Sequence, residues 1–269
     1  MARNLQIAQP EVVIPREEVH FFDRFLHRGP AWYSATLRKA VDWFPARKQS
    51  RVLWGDKSPS YVFMRDVPAA IAKYVPDIKL IVALREPTSR AFSAYRMRAG
   101  RGLENRTFAA AVDEEIATLL REQQQQQQQD KLGLGGQGHL GSQYIQRGFY
   151  ARQLANVLKH FKRCQLHVTI SERLANTATR VAEMHRALWF LGISSAGNHT
   201  YRTFNTRVSE KMHNTTPVSW EWNDTSVVNA RRKMHAQFFA RENRRLFDFL
   251  GKDVDEWKLG DFSSSASSE

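Results

Sequence analysis

Cysteine is almost absent from this sequence. Of 269 residues only Cys164 carries a thiol, which excludes an intrachain disulfide and any cysteine-cluster zinc site. Long apolar runs are missing too: MARNLQIAQPEVVIPREEVHFF, at the start, holds none of the length of a signal peptide or a membrane span. Acid is in short supply, with 27 Asp and Glu against 40 Lys and Arg and a formal net charge of +13. That balance raises encounter rates with phosphates, sulfated glycans, nucleic acid or acidic membrane surfaces without choosing among them. No internal repeat is visible.

What is present is an ordinary globular composition, 42% hydrophobic and 11% aromatic, in a chain long enough to bury a full core. Aromatic residues gather early, at Phe21, Phe22, Trp32, Tyr33, Trp43 and Phe44. RVLW (51–54) predicts a short strand, and a helix over about 66–75 ends before Pro76. LIVAL, bounded by Pro76 and Pro87, predicts a doubly buried strand over 79–85. A helix follows to about Met97, with Thr88 or Ser89 as its cap. Further helices are predicted over about 108–121, 150–161, 177–191 and 226–250, with a strand over 165–170. Val227, Met234, Phe238, Leu246 and Phe249 are core candidates of the last helix. Strands alternating with helices argue an α/β parallel sheet. Seven consecutive glutamines (123–129) and a glycine-rich run make 122–142 a surface insertion, disordered or helix-extending. Residues 198–224 read as irregular, and the domain is expected to span 1–262, with a frayed tail at 263–269.

Three stretches carry candidate chemistry. KLIVALREPTSRAFSAYRM (79–97) ends a strand on Arg85 and carries Ser89 and Ser93 one turn apart on the following helix. In open α/β sheets ligands gather at this end of the strands, and an arginine fork with a hydroxyl suits a terminal phosphate. The plainer reading pairs Arg85 with Glu86 and lets Ser93 pack. EEVHFFD (17–23), read as extended, sets Glu18, His20 and Phe22 on one face, a pattern that suits a general base and its partner. Its plainer reading is a loop anchored by Phe21 and Phe22, and no further His or Cys cluster joins it to make a metal site. GDKSPSY (55–61) sets Lys57 at a strand end, where it can bring positive charge to a transferred group or simply be solvated. LGLGGQGHLG (132–141) follows polyglutamine where a phosphate loop needs a strand, and is rejected as one.

Together with WGDKSPSYVF (54–63), QRGFYARQLANVLKHF (146–161), QLHVTISERL (165–174) and FFARENRRLFDFLGKDVDEW (238–257), these stretches resemble the sulfotransferase superfamily, in its heparan-sulfate-sulfotransferase-like branch. The resemblance covers most of the chain. It implies a P-loop-type parallel sheet flanked by helices and the donor 3′-phosphoadenosine 5′-phosphosulfate, with no metal. By the same resemblance Arg85 and Ser93 would hold the donor's 3′-phosphate. Glu18 would deprotonate the acceptor hydroxyl or amine, His20 and Asp23 would support it, and Lys57 would contact the acceptor or the moving sulfuryl group. The implied acceptor is carbohydrate-like, such as a polyanionic glycan. The implied location is the Golgi lumen, which four N-x-[ST] sequons, at Asn105, Asn198, Asn214 and Asn223, also favour.

The sequence departs from the family's pattern ahead of EEVHFFD. A loop of the form Lys-x-Gly-Thr-[Thr/Ser], which binds the 5′-phosphosulfate in this family, is expected there and not found. The first strand and phosphate-binding loop are therefore expected to be missing, leaving neighbouring strands with unpaired edges. Glu17 stands where the family commonly has lysine, and Asp56 where it commonly has glutamate. Two other readings stay open: a nucleotide- or polyanion-binding remnant without catalysis, and a basic nucleic-acid-binding protein, for which no recognition motif is present.

Overall fold

The structure is a computed structural model that describes Ala2, Leu5, residues 12–42, 53–132, 143–194, Tyr201 and residues 221–257. Trp43 and Phe44, the first half of the RVLW strand, the glycine-rich run from 133, Asn198 and Asn214, most of the 198–224 stretch and the 263–269 tail lie outside the described residues. In chain order the regular elements are β1 (Val12–Val13), α1 (Gly29–Asp42), β2 (Leu53–Trp54), α2 (Val67–Tyr74), β3 (Leu80–Leu84), α3 (Pro87–Ala99) and α4 (Phe108–Leu132). They continue with α5 (Tyr150–Val157), β4 (Leu166–Ile170), α6 (Ser171–Ala175), α7 (Thr177–Leu191), α8 (Thr225–Met234) and α9 (Ala240–Leu250). The chain divides into two compact units, Met1–Leu84 with Arg152–Phe204, and Arg85–Ala151 with Asn205–Glu269.

Among the described residues the first unit holds four strands, and their pairings are parallel, as the alternation of strands and helices implied. β1 pairs with β2, Val12 opposite Leu53 and Val13 opposite Trp54. β3 pairs with β4 along its whole length, Leu80 opposite Leu166 through Leu84 opposite Ile170. The two pairs are separate sheets, and among the described residues β3 has a strand partner on one edge only. This corrects one expectation. The apolar run LIVAL is not doubly buried: Leu84 is buried, Leu80 to Val82 are half-buried and Ala83 is exposed, because a cavity of about 520 Å³ lies against Leu80–Ala83.

Helix ends in this unit follow local chemistry. Pro68 opens α2, and the helix stops at Val75 ahead of Pro76. Asn176 caps α7, accepting from Ala178 N at 2.9 Å. That helix spans the predicted residues and ends on Gly192, whose φ of +77° closes it.

The second unit is helical around a core that includes Phe92, Tyr95, Phe108, Tyr144, Met234 and Phe239. α4 runs through the polyglutamine tract to Leu132. Glutamine loses little rotamer freedom in a helix, so the insertion extends α4 at this end. The predicted 226–250 helix is α8 and α9 joined by a π-helical turn, His235–Phe239, that inserts Phe238 and Phe239 into the core. Val227, Met234, Phe238 and Leu246 are buried as expected, and Phe249 is half-buried. Gly148 sits where a Cβ would meet the Phe239 ring at 2.6 Å and Pro87 at 3.1 Å, so only glycine fits.

Candidate functional site

In the first unit, Phe21 and Phe22 anchor the EEVHFFD stretch. Both are buried; Phe21 stacks on Tyr33 with ring centroids 4.5 Å apart, and Phe22 meets Tyr61 edge-on at 5.6 Å. The stretch is not extended, as the alternation argument assumed. Residues Phe21–Phe25 form one π-helical turn, and His20, its N-cap, is left-handed at φ 53° and ψ 30°. A non-glycine residue there costs about 1–3 kcal/mol, so the surroundings must impose it.

The turn brings three of the candidate side chains together. His20 Nε2 lies 2.9 Å from Glu18 Oε2, and His20 Nδ1 lies 2.9 Å from Asp23 Oδ2. The three differ in exposure: the Asp23 side chain is 4% exposed, His20 14% and Glu18 44%. A buried carboxylate thus orients a half-buried imidazole toward a carboxylate that still meets solvent. That is the order of parts a supported general base requires. Glu18 lines the cavity, and so does Lys57. Lys57 is half-buried, and its ammonium has no hydrogen-bond or ion-pair partner among the described residues.

Sequence reading passed over the residues that hold this turn. His20 N donates to Ser58 Oγ at 3.0 Å, and Phe22 N donates to the Tyr61 hydroxyl at 3.2 Å. Both hydroxyls in turn donate to Asp56, Ser58 to Oδ1 at 3.1 Å and Tyr61 to Oδ2 at 2.7 Å. The Tyr33 hydroxyl reaches Oδ2 at 3.5 Å. Burial raises the Asp56 carboxyl above the ordinary carboxylate range, and the hydroxyl hydrogen bonds pull the other way. Burial, with Asp56 adding to it, raises Tyr33 and Tyr61 as well, so both stay protonated donors. No local signal could have found these contacts, which span 38 and 39 residues of sequence.

In the second unit, Arg85 follows β3 directly and is exposed, and its guanidinium makes no hydrogen bond or ion pair among the described residues. Its carbonyl accepts from the Tyr150 hydroxyl at 2.9 Å, which fixes the backbone there. Ser93 is half-buried on α3. The expected cap is corrected: Glu86, not Thr88 or Ser89, closes α3. Its carboxylate accepts from Thr88 N at 2.9 Å, Ser89 N at 2.7 Å and both their hydroxyls at 2.7 Å. Pro87 holds the first helical position, where its missing N–H leaves no donor to satisfy. The plainer pairing of Arg85 with Glu86 is absent too; Glu86 faces Arg231 at 3.8 Å. Arg231 stacks on Trp222 with its guanidinium carbon 3.6 Å from the ring centroid. Burial lowers Arg90 and Arg231, and the charge of Arg85 acts in the same direction on both. Arg90 and Arg231 thus lie within electrostatic reach of Arg85, with the Glu86 carboxylate set against Arg231.

Among the described residues no group of three His, Cys, Asp or Glu side chains is placed to hold a metal ion, and no helix is long and apolar enough to cross a membrane. Asn105 and Asn223, the sequons within the described residues, are exposed.

No family model matches the chain. It is similar to heparan sulfate glucosamine 3-O-sulfotransferase 3A1 of Mus musculus, 26% identical over 254 residues, covering 91% of this chain and 58% of that protein. The 3B1 protein of Homo sapiens is 28% identical over 196 residues, covering 73% of this chain and 43% of that one. The chain thus spans about half the length of the curated relatives it matches. A solved structure, the sulfotransferase from Alicyclobacillus acidocaldarius, superposes with a TM-score of 0.63 at 20% identity over 95% of this chain and 93% of the other. That likeness shows the fold.

Proposed function

We propose, from the chain's place in the sulfotransferase superfamily, that it transfers a sulfuryl group from 3′-phosphoadenosine 5′-phosphosulfate to a hydroxyl or amine of a carbohydrate-like acceptor. The observation that carries the reading is the Glu18–His20–Asp23 chain, with its solvent-facing carboxylate on the same cavity as Lys57. Glu18 takes the acceptor's proton as the acceptor oxygen or nitrogen bonds to sulfur. The bond from sulfur to the donor's 5′-phosphate breaks, and 3′-phosphoadenosine 5′-phosphate leaves. His20, held by Asp23, keeps the Glu18 carboxylate aimed, and Lys57 offers positive charge to the sulfuryl oxygens. Transfer of this kind needs in-line positioning and charge stabilisation more than covalent work by the protein. Arg85 and Ser93 hold the donor's 3′-phosphate. The exposed Arg85 guanidinium supports that assignment. The relatives' names favour a heparan-type glycan as acceptor, and the Golgi lumen is the site of action that the family resemblance implies.

The test is transfer of radiolabelled sulfate from the donor to desulfated heparan sulfate by the full chain and by Glu18→Gln. Transfer by the parent and its loss in the variant support the reading; equal rates overturn it.

A further inference from the structure

We propose that Asp56 is a positioning residue for His20, acting through the Ser58 and Tyr61 hydroxyls to hold the left-handed turn that aims the imidazole at Glu18 and Asp23. A hydroxyl has one proton to give. Ser58 gives its proton to Asp56 Oδ1, so it meets the His20 N–H with a lone pair; Tyr61 gives its own to Oδ2 and meets the Phe22 N–H in the same way. One carboxylate therefore sets the direction of both arms.

The two anchored amides stand two residues apart and bracket the backbone bonds of His20 and Phe21. Fixing the peptide planes that carry them fixes the rotation at His20, whose φ of 53° lies in the left-handed region that is costly for a residue with a side chain. These N–H groups begin a helical turn and have no carbonyl four residues earlier to accept them. The hydroxyls take the place of a cap, supplied from a loop 38 and 39 residues further on. The turn then carries Asp23 back to His20 Nδ1 while Nε2 faces Glu18.

The carboxylate is specifically required. An amide at position 56 would present one oxygen and one NH₂. One hydroxyl would then accept from both the NH₂ and the backbone N–H, and its own proton would lose the acceptor that now fixes its direction. Tyr61→Phe removes only the hydroxyl and keeps the edge-on ring contact with Phe22. That His20's aim matters for transfer rests on the function proposed above; the aim itself does not.

The experiment follows the His20 imidazole by ¹⁵N–¹H correlation in the full chain, assigned by difference against His20→Gln. The variants are Asp56→Asn, Ser58→Ala, Tyr61→Phe and the conservative Ser58→Thr. Turnover and affinity for 3′-phosphoadenosine 5′-phosphate are measured in parallel. Ser58→Ala and Tyr61→Phe are expected to fold and to bind the nucleotide as the parent does. They shift or broaden the His20 ring signals while the other histidines stay in place, and lower kcat about tenfold or more with little change in KM. Ser58→Thr restores both signals and rate. His20 signals at parental positions in Ser58→Ala and Tyr61→Phe overturn the proposal, even if Asp56→Asn fails to fold. A parent without turnover removes the transferase reading and leaves the ring signals to decide the positioning role.

Discussion

His20 Nε2 lies 2.9 Å from Glu18 Oε2 because the backbone turns left-handed between the ring and the next residue, not because the two side chains share the face of a strand. The same ring meets Asp23 through its other nitrogen. A neutral imidazole can donate to one of these carboxylates and a protonated one to both, so the ring couples a buried acid to one that faces solvent.

Glu18→Gln keeps the shape of the side chain and removes its capacity to take a proton. Turnover should fall at least about a hundredfold, the usual contribution of a positioned base, with nucleotide affinity unchanged. Single-turnover transfer measured beside calorimetry separates the two. A variant that turns over within a few-fold of the parent would take the base role away from Glu18.

Much of the frame was legible in the sequence. Pro76 and Pro87 mark off β3, and the helix predicted over about 177–191 is α7 at its observed ends. The burial of β3 was not legible. A run of apolar residues says that a strand is apolar, and what covers it depends on the rest of the sheet; with one strand partner among the described residues and a cavity against it, Ala83 is exposed. Glu18 and His20 were paired by an alternation that does not exist, and the true cause, the His20 turn, depends on hydroxyls dozens of residues away. Glu86 as the cap of α3 was missed because shorter polar residues stood beside it in the same segment.

Glu86→Ala should destabilise the second unit by on the order of 3 kcal/mol, since it orphans the Thr88 and Ser89 donors and leaves Arg231 buried without its carboxylate. Urea denaturation read by tryptophan fluorescence measures the loss. Glu86→Gln, which keeps an acceptor oxygen, should lose less. Equal midpoints for parent and Glu86→Ala would show that the cap contributes nothing.

His235 should make stability fall on the acid side. Burial lowers its folded pKa and Glu86 only partly opposes this, so folding disfavours the charged ring. Its contribution is fully present above the unfolded value of about 6.5 and is lost as pH falls through the folded one. Urea midpoints should therefore drop between about pH 7 and pH 5, and the drop should shrink in His235→Gln. Superimposable pH profiles for parent and variant would contradict the assignment.

Every step of the transfer reading needs the nucleotide, and titration calorimetry with 3′-phosphoadenosine 5′-phosphate asks for it directly. The parent should bind one equivalent, and Arg85→Ala should weaken binding about tenfold to a hundredfold or abolish it, the loss expected when a charged hydrogen-bonding partner of a phosphate is removed. No heat with the parent, or equal affinity in parent and Arg85→Ala, would contradict the site proposed at the end of β3.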